Sequence, residues 1–141
     1  MLVLDTDHVS LLEQLDSPEG RRLRERLAPV PEAEKATSII SFEEQTRGWM
    51  AVLAQARDMA RLIDAYRRLK QQLTNYCAMN VLEFGERSAV EFQRLRKMRI
   101  QIGTMDLKIA SITLAHDATL LTCNSRDFRK VPGLKFEDWT I

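Results

Sequence analysis

The stretch Met1-Leu-Val-Leu-Asp5-Thr-Asp7-His-Val-Ser-Leu-Leu12 decides the fold, because a short apolar run passes through two acids into an amphipathic segment. The run Leu2–Leu4 predicts a buried strand, and the apolar spacing after Asp7 predicts a helix. Ligands of open α/β sheets bind at the carboxyl ends of the strands, where Asp5 lies. Helix capping is the alternative role of these acids, and it suits Thr6 or Asp7 better than Asp5, because Asp5 ends the strand.

Length and composition indicate one ordinary globular domain spanning 1–141, because the chain is 45% apolar and 29% charged. The net charge of +1 excludes a global attraction to nucleic acid, so anion binding must come from a local patch. Cys77 and Cys123 lack the paired spacing of a zinc site and are predicted to be reduced thiols. No export signal and no membrane-spanning stretch is apparent, which predicts a cytoplasmic protein.

Strand and helix patterns alternate along the rest of the chain. The further predicted strands are Lys35–Ser41, Met79–Phe84, Ala118–Thr122 and Leu134–Trp139, and the further predicted helices are Pro18–Leu27, Phe42–Ala54, Glu86–Arg96 and Met105–His116, the last of them capped by Thr104. The fourth strand leads into a polar loop, Cys123–Asp127. This alternation predicts an α/β protein with a parallel, roughly five-stranded sheet covered by helices on both faces.

The longest periodic segment runs from about Ala51 to Tyr76. Its apolar residues recur at three- and four-residue steps and are predicted to share one helix face: Val52, Ala56, Met59, Ile63, Tyr66 and Leu73. Together with the preceding helix, the segment predicts a projecting helical hairpin. Two interpretations stay open, an ordinary solvated charged helix and an arm that binds a partner.

Four acids follow strands or begin helices in this scheme, and a parallel sheet would bring them to one edge. They are Asp5 after the first strand, Glu44 and Asp106 in the first turns of two helices, and Asp127 in the loop after the fourth strand. Each could instead serve a helix N-terminus or a turn. Carboxylates 4 Å apart repel by about 4 kcal/mol at an effective dielectric of 20, so a cluster needs protons or cations. Oxygen ligands select Mg²⁺ or Mn²⁺, which suit phosphodiester hydrolysis.

The order of these blocks resembles the PIN-domain ribonucleases, and within them the VapC-type toxins of toxin–antitoxin pairs. The matching blocks are Leu4-Asp5-Thr6-Asp7, Ser38-Ile-Ile-Ser41 with Glu44-Gln-Thr-Arg-Gly48, Gly103-Thr-Met-Asp106-Leu-Lys-Ile-Ala110, Leu121-Thr-Cys-Asn124-Ser-Arg-Asp127-Phe128 and the tail Val131–Trp139. The resemblance spans nearly the whole chain. Two features depart from it or leave a choice: position 7 is Asp where the family commonly has Asn, and Glu43 adjoins Glu44.

The resemblance implies a three-layer α/β/α PIN-like sandwich in which Asp5, Glu44, Asp106 and Asp127 bind Mg²⁺ or Mn²⁺. Thr122 and Asn124 would orient the fourth acid or a phosphate. The implied activity is metal-dependent endoribonuclease cleavage by the toxin of a toxin–antitoxin pair. The implied partners are RNA, a cognate antitoxin protein and a second copy of the chain in a homodimer.

RNA backbone contacts are expected from the basic residues near the fourth acid, Arg126, Arg129 and Lys130, and from those between Arg94 and Arg99. Two alternatives remain. Asp5 and Asp7 are also similar to the first motif of haloacid dehalogenase-like phosphatases, as nucleophile and acid/base. A catalytically weak PIN fold that binds RNA or protein is the other alternative.

Overall fold

The computed structural model describes residues 1–141 and consists of five short strands and seven helices. In chain order they are β1 Leu2–Leu4, α1 Thr6–Glu13, α2 Pro18–Leu27, β2 Lys35–Ser38, α3 Ile39–Gln55, α4 Met59–Cys77, β3 Val81–Leu82, α5 Glu86–Lys97, α6 Thr104–Ala115, β4 Thr119–Leu121, α7 Ser125–Phe128 and β5 Lys135–Glu137, with a 3₁₀ turn at Glu32–Glu34. No helix is both long enough and apolar enough to cross a membrane.

All strand pairs are parallel, and the strand order is β3-β2-β1-β4-β5. Neighbouring residues of one strand belong to different apolar clusters, because successive side chains of a strand point to opposite faces of the sheet. Val3 and Leu120 pack in one cluster with α5 and α6, while Leu4 and Leu121 pack in the other with α1 and α2. The predicted α/β/α sandwich with a parallel five-stranded sheet is therefore confirmed.

Several predicted boundaries are wrong, and a side-chain cap explains the start of α3. Ser38 ends β2 and its Oγ accepts a 3.2 Å hydrogen bond from the Ser41 backbone N–H, so α3 begins at Ile39 rather than at Phe42. Residues 39–41, which were predicted to continue the strand, therefore lie in α3. Glu44 is in the second turn of this helix rather than the first. The N-cap of α6 is Gly103 without a side-chain bond, not Thr104.

The segment from Ala51 to Tyr76 is not one continuous helix. The helix is interrupted between α3 and α4. A new helix, α4, begins after Asp58, whose Oδ1 accepts a 2.8 Å hydrogen bond from the Arg61 backbone N–H. Facing pairs show that the two helices are antiparallel, since the Phe42 and Tyr76 rings lie 5.2 Å apart and Gln72 Nε2 donates to Thr46 Oγ1 over 2.7 Å. The predicted hairpin exists, but its apolar residues are divided between two helices.

Smaller differences concern the edges of the sheet and the loop after β4. β3 and β5 are shorter than predicted, and residues 125–128 of the expected loop form the single-turn helix α7. The Oδ1 of Asn124 caps that turn by accepting a 3.4 Å hydrogen bond from the Asp127 backbone N–H. The turn before β5 holds Gly133 at a φ of +79°, a conformation that glycine adopts without strain.

Candidate active site

The centre of the carboxyl edge of the sheet lies between β1 and β4, where the strand order changes direction. Leu4 is in register with Leu121, and the Asp5 backbone N–H donates a 3.1 Å hydrogen bond to the Leu121 carbonyl. Asp5 and Thr122, the first residues after the two strands, therefore lie side by side. Ligands of open α/β sheets bind at such a switch point.

Asp5 is the N-cap of α1, which corrects the expectation that Thr6 or Asp7 has this role. Its Oδ1 accepts a 2.9 Å hydrogen bond from the His8 backbone N–H and lies 3.2 Å from His8 Nδ1, while no hydrogen bond reaches Oδ2. The residue is only 6% exposed. One face of this buried carboxylate is thus fixed by α1, and its second oxygen is free to bind a ligand.

Glu44 reaches the same edge from α3. Thr6 Oγ1 donates a 2.6 Å hydrogen bond to Glu44 Oε1 and lies 3.2 Å from Ser41 Oγ. The neighbouring acid, Glu43, forms an ion pair with Arg47 at 2.6 Å. The two adjacent glutamates therefore have different surroundings, and the one that contacts the α1 N-terminus is Glu44.

Asn124 contacts both of the remaining acids. Its Nδ2 donates a 3.0 Å hydrogen bond to Asp127 Oδ2 and lies 3.5 Å from Asp106 Oδ2, and its own backbone N–H donates to Thr122 Oγ1 over 3.0 Å. The chain of contacts Thr122–Asn124–Asp127 begins at a fully buried residue at the end of β4. It holds Asp127 of α7 close to Asp106 of α6.

The charges at this edge act on Asp106 above all. Desolvation, followed by the negative charges of Glu44, Asp5, Asp127 and Asp7, raises the pKa of Asp106 to about 6. Desolvation and the charge of Asp5 likewise raise the pKa of Asp7. No arginine or lysine forms an ion pair with Asp5, Glu44 or Asp106. The edge is an uncompensated negative site, which favours protons or cations.

Asp127 is the exception among the four acids. The hydrogen bond from Asn124, the contact with Lys130 and the charge of Arg126 hold the pKa of Asp127 below its usual range. Lys130 Nζ lies 3.5 Å from Asp127 Oδ1. Arg126 and Lys130 are exposed, so both can also reach an anion beside the acids.

The donor atoms fit a hard divalent cation, because all of them are carboxylate oxygens and an oxygen of each of Asp5, Glu44 and Asp106 accepts no hydrogen bond. The oxygens of the four acids are more widely spaced than a compact metal site. The side chains whose ligand atoms all lie within 4.8 Å of one another are a different group, His8, Cys123 and Asp138. Mg²⁺ keeps several waters and uses one or two direct carboxylates, which suits a wider arrangement.

Sequence reasoning missed two features of this site. The bond from Thr6 to Glu44 joins residues 38 positions apart, and no local pattern indicates it. Tyr76 of α4 is buried with its hydroxyl unpaired, and desolvation, helped by Glu13 and Glu44, raises the pKa of this hydroxyl. Tyr76 was predicted only as the end of the periodic segment, and its position near Glu44 follows from the packing of α4 on α3.

Comparison with known proteins gives a consistent result. The sequence pattern that defines the PIN domain family matches residues 2–134. Ribonuclease VapC1 of Rickettsia felis is 39% identical over 59 residues, 39% of this chain and 44% of that protein. Ribonuclease VapC2 of the same organism is 34% identical over 65 residues, 43% of this chain and 48% of that protein. The matched parts thus span about half the length of these curated relatives.

Among solved structures, VapBC-1 from nontypeable Haemophilus influenzae is similar over 99% of this chain and 98% of that chain, with a TM-score of 0.70. The identity in that comparison is 24%, so the similarity concerns the fold. The strand order and layers described above are therefore those of a known fold.

Proposed function

The chain belongs to the PIN domain family, and from that premise we propose that it is an endoribonuclease of the VapC toxin type, dependent on Mg²⁺ or Mn²⁺. The names of the curated relatives support ribonuclease activity. Family membership also removes the ground for the phosphatase alternative, which rested on Asp5 and Asp7 alone. The proposed reaction is hydrolysis of RNA phosphodiester bonds in the cytoplasm.

The observation that carries this proposal is the convergence of acids at the switch point of the sheet, where desolvation and four neighbouring carboxylates raise the pKa of Asp106. Repulsion among fixed acids destabilises a fold, so their convergence indicates a site that is completed by a cation. Asp5, Glu44, Asp106 and Asp127 would hold the ion. When bound, such an ion polarises a phosphate oxygen and activates water for hydrolysis.

The residues of the chain contribute orientation and charge. Asn124 fixes Asp127 against Asp106, and Thr6 fixes Glu44, so three acids are positioned by side-chain hydrogen bonds from other residues. Asp5 is positioned by the N-terminus of α1. Such preorganisation lowers the reorganisation needed during the reaction and supplies much of the rate of phosphoryl chemistry. Because the pKa of Asp106 is about 6, this acid is mostly ionised at neutral pH.

RNA would be held by cations beside the acids rather than by the protein as a whole. Arg126, Arg129 and Lys130 are exposed on and after α7, next to Asp127. Arg94 forms an ion pair with Glu91 at 2.7 Å, so it is less available than these three. Contacts of this kind give affinity that depends on salt and carry no sequence information.

We also propose an antitoxin protein as partner and a homodimer as the assembly. Solved neighbours are described as VapBC and toxin–antitoxin complexes. The helical hairpin of α3 and α4 supports a protein partner, because large apolar side chains are exposed along it. They are Met50, Val52, Met59, Ile63, Tyr66 and Leu73. Apolar surface left exposed in a row is typical of protein interaction sites.

Cleavage of RNA by the purified chain tests the activity. We expect the wild-type protein to cut RNA with Mg²⁺ or Mn²⁺, and we expect cleavage to stop in EDTA. Asp5→Asn should be inactive and should keep the circular dichroism spectrum of the wild type. Glu43→Gln is the matched control and should stay active. RNA binding without cleavage would favour the binding-module alternative, and phosphate release from small phosphomonoesters without RNA cleavage would favour the phosphatase.

Co-expression tests the partner. We expect a small protein encoded by the gene immediately upstream to copurify with the chain and to inhibit cleavage. Replacing Ile63 and Leu73 by Ser should weaken an assembly that uses the hairpin. Failure of any small protein to copurify would contradict the antitoxin proposal. It would not bear on the ribonuclease proposal, which the RNA cleavage assay tests separately.

A further inference from the structure

Three side chains of different chemistry meet beside the active-site acids. His8 comes from α1, Cys123 follows β4 and Asp138 follows β5, and their ligand atoms all lie within 4.8 Å of one another. Cys123 Sγ is 3.9 Å from His8 Nδ1 and 3.9 Å from Asp138 Oδ1. Imidazole, thiol and carboxylate are the donor types that bind Zn²⁺ in proteins.

The spacing of these atoms is close to that of a zinc site. Ligands at the usual Zn–S, Zn–N and Zn–O lengths around a tetrahedral ion stand roughly 3.6 Å apart. The two 3.9 Å separations from Cys123 Sγ need only a small contraction to reach it, and the ligand atoms of His8 and Asp138 lie within 4.8 Å of each other. Two of the three groups also share a hydrogen-bonding neighbour, because Thr140 Oγ1 lies 3.5 Å from Cys123 Sγ and donates to Asp138 Oδ1.

Two of the three side chains are already held in place. His8 is fully buried, and its Nδ1, the ring atom 3.9 Å from Cys123 Sγ, also lies 3.2 Å from Asp5 Oδ1. Asp138 Oδ1 accepts hydrogen bonds from the Thr140 backbone N–H at 2.8 Å and from Thr140 Oγ1 at 2.5 Å, and no hydrogen bond reaches Oδ2. Groups that orient metal ligands in this way strengthen metal binding. Cys123 is exposed, which gives an ion a path from solvent.

The electrostatic surroundings also suit a cation. Desolvation, together with the charges of Asp138, Asp5 and Asp7, raises the pKa of the Cys123 thiol. The thiol is therefore protonated in the metal-free protein, which argues against a reactive thiolate. The same negative charges attract a divalent ion.

We propose that His8, Cys123 and Asp138 bind Zn²⁺ as a second metal site, which adjoins the four-carboxylate site because His8 Nδ1 also lies 3.2 Å from Asp5 Oδ1. The thiol proton passes to solvent when the thiolate binds the ion. A thiolate and an imidazole select a softer metal than the all-oxygen set of the neighbouring acids. The ion would tie the segment after β5 to α1 and to the end of β4. This inference stands on its own contacts and does not depend on the proposed nuclease function.

Titration of the full-length chain with Co²⁺ tests the site, because thiolate ligation gives a near-ultraviolet charge-transfer absorption that carboxylates do not give. We expect a saturable band equivalent to one ion per chain, displaced by Zn²⁺. Cys123→Ser and Asp138→Asn should abolish or strongly weaken the band. Cys77→Ser is the matched control, since Cys77 is the other free and exposed cysteine, and it should keep the band.

Two further measurements separate this site from the carboxylates and from unfolding. Asp106→Asn should keep the Co²⁺ band, because Asp106 is not among the proposed ligands. Zn²⁺ should raise the Tm of the wild type and not that of Cys123→Ser, because an ion that binds only the folded state stabilises it. Absence of the band, its persistence in Cys123→Ser, or its loss in Cys77→Ser would overturn the proposal.

Discussion

Thr6 Oγ1 donates a 2.6 Å hydrogen bond to Glu44 Oε1, and this contact joins the first residue of α1 to the second turn of α3. It orients Glu44, which comes from α3, an earlier part of the chain than the helices that carry Asp106 and Asp127. Groups that orient metal-binding carboxylates typically contribute 10- to 100-fold in affinity or activity.

Replacement of Thr6 should therefore reduce activity without unfolding the chain. We expect Thr6→Val to lower the kcat/KM of RNA cleavage by about 10-fold, because the isosteric side chain cannot donate a hydrogen bond to Glu44. Thr6→Ser keeps the hydroxyl and should stay within about twofold of the wild type. Equal activity of the valine and serine variants would show that this hydrogen bond has no role in the site.

Asn124 should be needed for RNA cleavage, because its side chain contacts both Asp106 and Asp127. We expect Asn124→Ala to lower cleavage by about 10- to 100-fold, since Asp127 and Asp106 lose their shared donor. Steady-state cleavage at saturating Mn²⁺ measures the effect. Asn80→Ala, at an exposed asparagine before β3, is the control and should be fully active. An active Asn124→Ala protein would contradict the proposed orientation of these acids.

The raised pKa of Asp106 predicts a pH-dependent stability of the metal-free protein. The folded pKa of about 6 exceeds the ordinary 3.8, so stability from this group is complete below the ordinary value and is lost as pH rises through about 6. In EDTA at pH 7.5, Asp106→Asn should be more stable than the wild type by about 1 kcal/mol, allowing for solvent screening. Thermal unfolding measures this.

The difference between the two proteins should disappear near pH 4.5, where Asp106 of the wild type is protonated. Saturating Mn²⁺ at pH 7.5 should reverse the order, because the wild type alone keeps the full set of ligands. Identical Tm values of both proteins at every pH would show that neither desolvation nor the neighbouring carboxylates raise the pKa of Asp106.

The boundaries show which parts of the fold the chain pattern determines. β1 and α2 were predicted correctly, because an apolar run ending at an acid and a proline at a helix start are local signals. The start of α3 was wrong, because the β-branched Ile39 and Ile40 favour a strand while the hydrogen bond from Ser41 to Ser38 favours the helix. The break before α4 was predicted too early, near Ala51–Ala54, because no glycine or proline marks it and only Asp58 caps the new helix.

The candidate site was predictable as a set of residue types but not as a set of contacts. Asp5, Asp106 and Asp127 follow strands or begin helices, so their meeting at one edge follows from a parallel sheet. The choice of Glu44 over Glu43 rested on the family resemblance, and the contacts that distinguish the two join distant elements. The proposed zinc ligands do not follow any recognisable sequence spacing. One comes from α1, one from the loop after β4 and one from the segment after β5.

Arg126 should contribute to RNA affinity through charge alone. In an inactive Asp5→Asn background, we expect Arg126→Ala to weaken RNA binding and to reduce the slope of log K against log salt concentration by about 1. The loss should be the same for RNAs of different sequence. Arg57→Ala, at an exposed arginine between α3 and α4, is the control and should keep the slope. An unchanged slope in Arg126→Ala would place the RNA elsewhere.

Calorimetric titration of Mn²⁺ tests the central claim most directly, namely that Asp5, Glu44, Asp106 and Asp127 form one cation site. Cys123→Ser protein is used throughout, so that the proposed zinc ligands do not contribute. We expect saturable binding that is weakened at least about 10-fold by Asp5→Asn, Glu44→Gln, Asp106→Asn or Asp127→Asn singly, and unchanged by Glu43→Gln. Binding that survives these four replacements, or no binding in the parent protein, would contradict the account.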